Sequence, residues 1–308
     1  MSAHDAVLLI SFGGPDSMDE VRPFLANVLR GRPVPPERLE DVVHHYELLG
    51  GRSPLTALTL RQAEALRAAL AASGNPLPVY VGMRNWHPYL ADTLTAMRAD
   101  GVQRAVGLIL AAQQSDASWG RYQRDVAEAR AAVGDGAPLV DFAPNWHAHP
   151  LFIEAVAERT HAALLALPAQ RRVGVQLIFT AHSIPLSLAA TSPYEAQLRV
   201  GAALVAEQLG LAEYRLAYQS RSGGPREPWL EPDIGAVVRE EAARGTRELV
   251  VVPLGFVCDH VEVLYDLDIE AKQIADAVGI GFTRVAAVND HPSFIRMLAA
   301  VVAVTPRA

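Results

Sequence analysis

Short apolar segments alternate along the chain with longer amphipathic segments. The apolar segments are rich in valine, leucine and isoleucine, as in strands that are buried on both faces. The longer segments, such as Leu58–Ala72 and Arg121–Val133, have the residue pattern of helices. This alternation predicts an α/β fold in which helices cover both faces of parallel sheets. The predicted strands are Ala6–Ser11, Val79–Gly82, Ala105–Leu110, Leu139–Phe142, Val173–Thr180, Tyr214–Gln219, Leu249–Leu254 and Val285–Val288.

The predicted strands fall into two sets of four, which indicates two similar domains. A polar, proline-containing stretch at Asn145–Pro150 separates the sets and precedes a predicted helix that starts at Leu151. We therefore predict one doubly wound, Rossmann-like domain at residues 1–146 and a second at residues 147–290, each with a parallel four-stranded sheet. The length of 308 residues is sufficient for two domains of ordinary size.

Charge and cysteine content narrow the class of protein. With 34 acidic and 27 basic residues the formal net charge is −7, which argues against a nucleic-acid-binding or basic membrane-surface protein. The single cysteine, Cys258, excludes an intramolecular disulfide and a cysteine-rich zinc or iron–sulfur site. The longest apolar run, Leu249–Cys258, contains Pro253 and Gly255 and is too short to span a bilayer. Because Met1–Asp5 lacks the basic residues of a signal peptide, we expect a soluble, cytoplasmic protein.

Polar residues follow several of the predicted strands, and His182 is the most informative of them. It lies just after the strand Val173–Thr180 and before Pro185, which stops further strand pairing. In open α/β sheets, ligands bind beyond the carboxyl ends of the strands. His182 is therefore a candidate proton acceptor or metal ligand. The alternative is a histidine that only satisfies its own hydrogen bonds in the core or at the surface.

An acidic segment follows the seventh predicted strand. In an α-helix of about 100° per residue, Asp259, Glu262, Asp266 and Glu270 would lie within an arc of about 80°. This arc is either a solvated helix face or a row of carboxylates that passes a divalent cation inward. A histidine and a carboxylate at the end of such a row suit iron(II). The chain lacks the HExxH or Cys/His spacing of a zinc site.

Two segments of the first half contain candidate ligand-binding residues. Phe12–Pro15 reads Phe-Gly-Gly-Pro, which differs from the GxGxxG of nucleotide-binding proteins, and its glycines allow the backbone to approach something flat and bulky. Arg30, His45, Arg52 and Ser53 place basic and hydroxyl groups in an otherwise acidic chain. They are either ordinary surface residues or a site for an anionic ligand, since guanidinium groups bind carboxylates in a forked geometry.

Five motifs, in this order, resemble those of the ferrochelatase family, the enzymes that insert iron(II) into a porphyrin. The resemblance covers nearly the whole chain. The residues that carry it are Phe12–Pro15, Gly50–Pro54, Phe179–Pro185, Gln219–Pro225 with Pro228–Leu230, and Gly255–Glu270.

The resemblance implies a fold and a set of functional residues. The fold is two doubly wound domains with a porphyrin cleft between them, and the C-terminal helix at residues 291–308 completes the first domain. The catalytic pair is His182 with Glu262. The implied metal ligands are His182, Glu262, Asp266 and Glu270. The implied porphyrin-binding residues are Phe12, Arg30, His45, Arg52, Ser53 and Tyr122.

The segment between Arg30 and Gly50 is short and polar, which resembles the soluble coproporphyrin ferrochelatases. Coproporphyrin has four propionates, and Arg30, His45, Ser53 and Tyr122 match positions that hold propionates in that branch. The resemblance thus implies that iron(II) enters coproporphyrin III during haem synthesis, with release of two pyrrole protons. Protoporphyrin IX ferrochelatase, a cobalt or nickel chelatase of another tetrapyrrole, and a non-catalytic haem carrier stay as alternatives.

The sequence also departs from patterns found in some family members. Phe12 replaces a tyrosine that lies under the metal, so no phenolate can coordinate iron from that position. Cys258 alone cannot hold an iron–sulfur cluster, so we expect no cofactor beyond the substrate iron(II). The resemblance implies a monomer without stable membrane insertion, which contacts the next enzyme of the haem pathway only transiently.

Overall fold

The computed structural model describes residues 4–30, 34–222 and 227–307, and in these ranges it contains two four-stranded sheets. Every strand pairing in both sheets is parallel. The first sheet has the order β2-β1-β3-β4 and the second the order β6-β5-β7-β8, so the two have the same topology. This confirms the predicted fold class. The strands are β1 (Ala6–Ser11), β2 (Val79–Met83), β3 (Arg104–Ile109), β4 (Leu139–Phe142), β5 (Gln176–His182), β6 (Tyr214–Gln219), β7 (Glu248–Val252) and β8 (Gly281–Arg284).

Helices connect the strands, as parallel pairing requires. The α-helices are α1 (Met18–Leu29), α2 (Pro36–Leu48), α3 (Leu55–Ala72), α4 (Leu90–Ala99), α5 (Arg121–Val133), α6 (Pro150–Ala166), α7 (Ala169–Arg172), α8 (Leu186–Ala190), α9 (Tyr194–Gln208), α10 (Ile234–Ala243), α11 (Val261–Val263), α12 (Lys272–Val278) and α13 (Pro292–Val304). Two segments of the described ranges are π-helices, π1 (Asp116–Gly120) and π2 (Leu264–Ala271). None of the helices in the described part of the chain has the length and apolarity needed to cross a bilayer.

Two predicted strands are displaced from those in the structure. The prediction started the fifth strand at Val173, but Val173 is 82% exposed and Gly174 has a left-handed backbone, so β5 begins at Gln176. The prediction of a strand at Val285–Val288 was wrong, since β8 precedes it at Gly281–Arg284. Val285 donates one more backbone hydrogen bond to β7, and the chain then leaves the sheet as a buried loop.

The described residues divide into two compact units. One contains residues 4–110, Ser118–Pro144 and residues from 295 onward, and the other contains Ala111–Ala117 and Asn145–Phe294. The predicted first domain covers residues 1–146. In the structure, the short segment Ala111–Ala117 groups with the second unit. The division within α13 falls at residue 294, a few residues after the predicted start at 291.

The helix that follows β7 winds unusually, because α11, π2 and α12 form one continuous helix over residues 261–278. Its buried face consists of Val263, Leu267, Ala271 and Ala275, which pack with the second sheet in one hydrophobic core. These residues are spaced by four along the chain. In an α-helix, residues four apart rotate by about 40° at each step. The wider π-helical turns of π2 rotate them in the opposite sense, so a helix that contains both keeps the four residues near one line.

Candidate functional site

His182 is the last residue of β5, a central strand of the second sheet, so its side chain lies at the carboxyl end of the sheet. The ring Nδ1 is hydrogen-bonded to the carbonyl oxygen of Ser183. A carbonyl can only accept, so Nδ1 carries the proton and Nε2 has the free lone pair in the neutral ring. The Tyr194 hydroxyl donates to the His182 carbonyl oxygen at 2.9 Å and so holds the backbone here. The loop is anchored further by Ser183, whose Oγ donates to the Leu230 carbonyl at 2.8 Å.

Glu262 faces His182 from the first turn of helix 261–278. Its Oε2 lies 3.8 Å from His182 Nε2, and both side chains are partly exposed. That distance is too long for a direct hydrogen bond. It suits a shared metal ion, because two bonds of about 2.1 Å each place their donor atoms roughly 3 to 4 Å apart. Among the described residues, no three His, Cys, Asp or Glu side chains form a group able to hold a metal ion.

Asp266 and Glu270 continue from Glu262 along the same helix at intervals of four residues. Asp266 accepts hydrogen bonds from the Ser220 hydroxyl and from Gln219 Nε2, the latter at 3.3 Å. Burial raises the pKa of Asp266 to about 7, and the negative charges of Glu262 and Glu270 contribute to the rise. The three carboxylates are thus close enough to affect one another. We call Glu262, Asp266 and Glu270 the acidic row.

Asp259 does not belong to the acidic row, although the sequence placed it there. It precedes the helix, and its Oδ1 lies 2.8 Å from Arg284 Nη1 while Asn289 Nδ2 donates to its Oδ2 at 2.8 Å. The Ala287 amide also donates to Oδ1, at 3.2 Å. Asp259 therefore connects the loop after β7 with the end of β8 and the segment that follows it. It stabilises the site and does not line it.

His260 is a residue of the site that sequence reasoning missed. Its Nδ1 accepts a hydrogen bond from the Val263 amide at 3.4 Å, which caps the helix that contains Glu262. Its ring packs edge-on against Phe256 at 5.1 Å. Burial lowers the pKa of His260, the nearby Glu262 opposes that shift and His182 adds to it. The sequence feature that could have identified His260 is its position between a buried strand and an acidic helix.

The structure brings together three of the porphyrin-binding residues implied by the resemblance. Arg84 lies over the ring of Phe12 at 5.7 Å and over the ring of Tyr122 at 6.0 Å. Arg30 donates to the backbone carbonyl of Arg84 at 3.0 Å and to Asp125 at 3.0 Å. All five residues belong to the first unit. Phe12 and Arg84 follow directly after β1 and β2, at the carboxyl ends of neighbouring strands.

The remaining implied residues of the first unit lie elsewhere in it. Ser53 is buried against Gly14, where an added Cβ would come within 2.7 Å of the Ser53 Cβ. This contact explains the glycine and joins two of the motifs. Arg52 is exposed near Asp16, and its charge lowers the pKa of Asp16 against the larger, raising effect of burial. His45 lies half-buried on α2. Of the motif residues, Gly223 to Pro225 lie outside the described ranges, as do residues 31–33 of the segment between Arg30 and Gly50.

Solved structures, among them that of the sirohydrochlorin chelatase SirB, have a similar fold. SirB of Bacillus subtilis, solved with Fe3+, matches 97% of this chain and 95% of its own, with a TM-score of 0.59 and 11% identity. CbiX, described as the terminal enzyme of sirohaem biosynthesis in denitrifying bacteria, matches 98% of this chain and 100% of its own, with a TM-score of 0.55 and 15% identity. At these identities the likeness shows a shared fold and nothing more.

The sequence comparison is more specific. A model of the ferrochelatase family matches residues 4–305, and the chain belongs to that family. The coproporphyrin III ferrochelatase of Mycolicibacterium smegmatis is 45% identical over 96% of this chain and 87% of its own. A ferrochelatase of Rhodopirellula baltica is 43% identical over 97% of this chain and 85% of its own. The chain is accordingly a metal chelatase, as its motifs predicted.

Proposed function

We propose that this enzyme inserts iron(II) into coproporphyrin III, forms Fe-coproporphyrin III in haem synthesis and releases two pyrrole protons. The observation that carries the proposal is the pairing of His182 Nε2 with Glu262 at 3.8 Å in a member of the ferrochelatase family. The choice of coproporphyrin III is supported by relatives of that name at 43–45% identity.

His182 acts at the porphyrin centre through Nε2. Because Nδ1 donates to the Ser183 carbonyl, the free lone pair of the neutral ring is on Nε2. That lone pair accepts a pyrrole proton or binds the entering iron. If it takes a proton, the imidazolium that forms is stabilised by the Glu262 carboxylate. If it binds iron, Glu262 supplies a hard oxygen donor to the same ion.

The acidic row delivers hydrated iron(II) to this pair. Carboxylates four residues apart on helix 261–278 offer successive oxygen donors, and Asp266 interacts electrostatically with the residues on both sides of it. A divalent cation next to Asp266 favours its ionised form, so binding of iron releases a proton at neutral pH. The row thereby couples iron entry to loss of the proton held at Asp266.

Substituting Glu270 by glutamine is expected to raise the KM for iron about fivefold and to leave kcat unchanged. Glu270 is exposed and far along the row, so its loss removes attraction for the cation worth about 1 kcal/mol without altering the reacting atoms. Initial rates at varied iron(II) and saturating porphyrin measure this. Asp276→Asn is the matched control, because Asp276 is an acid of the same helix that pairs with Lys272. An unchanged iron dependence in Glu270→Gln would mean that the row is only a solvated helix face.

An anaerobic spectroscopic assay tests the proposal as a whole. Protein, coproporphyrin III and iron(II) are mixed, and the expected result is conversion of the free-base spectrum to that of the iron porphyrin. A haem carrier would bind porphyrin without metallation, and a chelatase for another metal would prefer cobalt or nickel in competition. Faster turnover of protoporphyrin IX than of coproporphyrin III would overturn the choice of substrate.

We also propose that the enzyme works in the cytoplasm as a monomer without an iron–sulfur cluster. The last point is supported by the single cysteine of the chain, because such clusters take several thiolate ligands. Cys258 is moreover buried. Phe12 supports a pathway in which His182 and Glu262, rather than a phenolate, supply the protein donors.

A further inference from the structure

A buried carboxylate in the first unit contacts three guanidinium groups. Asp125 lies on α5, and its side chain is only 3% exposed. Arg30 Nη1 and Arg121 Nε donate to its Oδ1 at 3.0 and 2.9 Å. Arg84 Nε lies 2.7 Å from its Oδ2. The three arginines come from the C-terminal end of α1, from the residue after β2 and from the start of α5, so Asp125 joins three separate segments.

The four groups have an excess of positive charge. Three guanidinium groups face one carboxylate, and an arginine remains protonated at any ordinary pH. Burial lowers the pKa of Arg84, Asp125 and Tyr122 oppose that shift, and Arg121 and Arg30 add to it. Arg84 is thus held among groups of its own sign, and in the described part of the chain Asp125 is the one carboxylate that compensates them. A second carboxylate, supplied by a ligand, would relieve this repulsion.

The exposed parts of the cluster are suited to receive such a ligand. Arg84 is 9% exposed and has its guanidinium close to the rings of Phe12 and Tyr122, so its orientation is fixed. Arg30 and Arg121 are 35% and 30% exposed, which leaves N–H groups accessible to solvent. The cluster lies at the carboxyl ends of β1 and β2, where α/β sheets bind ligands.

We propose that Asp125 is a positioning residue that holds Arg30, Arg84 and Arg121 together as one binding site for a propionate of the porphyrin. This inference rests on the proposed function, and it adds Arg84, Arg121 and Asp125 to the residues that select the substrate. Asp125 does not touch the substrate. It fixes the planes of the three guanidinium groups, so that their remaining N–H groups donate to a carboxylate in forked geometry with little loss of side-chain freedom.

The test measures binding of porphyrin without iron, so that it stays separate from the insertion reaction. Asp125→Asn is expected to weaken the binding of coproporphyrin III about tenfold, as followed by quenching of porphyrin fluorescence. Its binding of the tetramethyl ester, which has the same macrocycle but no carboxylates, is expected to change less than twofold. Asp125→Glu is expected to recover part of the lost affinity, because it restores the charge.

A matched control is Asp141→Asn. Asp141 is also a buried aspartate of the first unit, and it pairs with His4 and Arg104. Its substitution is expected to lower the unfolding temperature without changing the ratio of the two porphyrin affinities. If Asp125→Asn fails to fold, Arg121→Gln carries the test, since it removes a partly exposed guanidinium and is expected to give the same selective loss.

Two results would overturn the proposal. One is an equal loss of affinity for coproporphyrin III and for its ester in Asp125→Asn, which would make Asp125 purely structural. The other is wild-type binding of coproporphyrin III by Arg121→Gln. Failure of the proposed function has a different signature, because the wild-type protein would then bind coproporphyrin III with the expected contrast and still not insert iron.

Discussion

Replacement of His182 by alanine is expected to lower the rate of iron insertion by about 10²- to 10⁴-fold, the usual contribution of a positioned acid–base group. The substitution removes the Nε2 lone pair and leaves Glu262 without its partner at 3.8 Å. Porphyrin binding is expected to stay measurable, because the arginine cluster around Asp125 is not altered. Anaerobic single-turnover spectra measure insertion, and fluorescence quenching measures binding in the same samples.

Control variants distinguish the loss of the His182–Glu262 pair from the general effects of removing a histidine. His44→Ala removes an exposed histidine of α2 and is expected to be neutral. Glu262→Gln is expected to be strongly impaired, and the double variant is expected to be little worse than His182→Ala alone, since residues that act as a unit are not additive. Turnover at the wild-type rate in His182→Ala would remove His182 from the mechanism.

The pH dependence of stability is expected to depend strongly on Asp266. Burial raises the pKa of Asp266 from its ordinary value of 3.8 to about 7, so the folded protein holds this proton more tightly than the unfolded chain. The resulting stabilisation is complete below about pH 4 and is lost as the pH rises to about 7 and above. Asp266→Asn, which is neutral at every pH, is therefore expected to be more stable than the wild type at pH 8 by about 4 kcal/mol and similar to it at pH 4.

Urea unfolding of the iron-free and porphyrin-free protein between pH 4 and pH 8 measures this difference. Asp276→Asn is the control, because that exposed acid pairs with Lys272 and lies on the same helix. The same variant of Asp266 is expected to need more iron for half-maximal rate. An identical pH slope in Asp266→Asn and the wild type would show that the carboxyl is ionised throughout this range.

The sequence predicted the architecture well where apolar runs end at polar or glycine residues. The bounds of β1, β4 and β6 agree with the prediction. β8 was misplaced because Val285 and Val288 are as buried as strand residues although the chain there has left the sheet. Hydrophobicity reports burial, and it does not distinguish a buried strand from a buried loop. The π-helical turns were missed as well, because the apolar spacing was interpreted with an α-helical period.

The site was predictable where its residues lie within one motif. His182 and Glu262 were named as candidates in this way, each within its own motif, and the structure places them 3.8 Å apart. The contacts around Asp125 were not predicted, because two of its three partners lie 41 and 95 residues away along the chain and only the fold brings them together. Asp259 was misassigned for the same reason, since Arg284 and Asn289 are far from it in sequence.

The winding of helix 261–278 has a consequence for how this part of the protein tolerates change. Its four-residue repeat places Val263, Leu267 and Ala271 against the sheet and, one position earlier each time, Glu262, Asp266 and Glu270 beside one another. An insertion or deletion of a single residue within 264–271 would turn every later side chain by most of a quarter turn or more. Such a change would bring a carboxylate into the apolar interior and would also interrupt the acidic row. The number of residues in this segment is therefore constrained as strictly as their type.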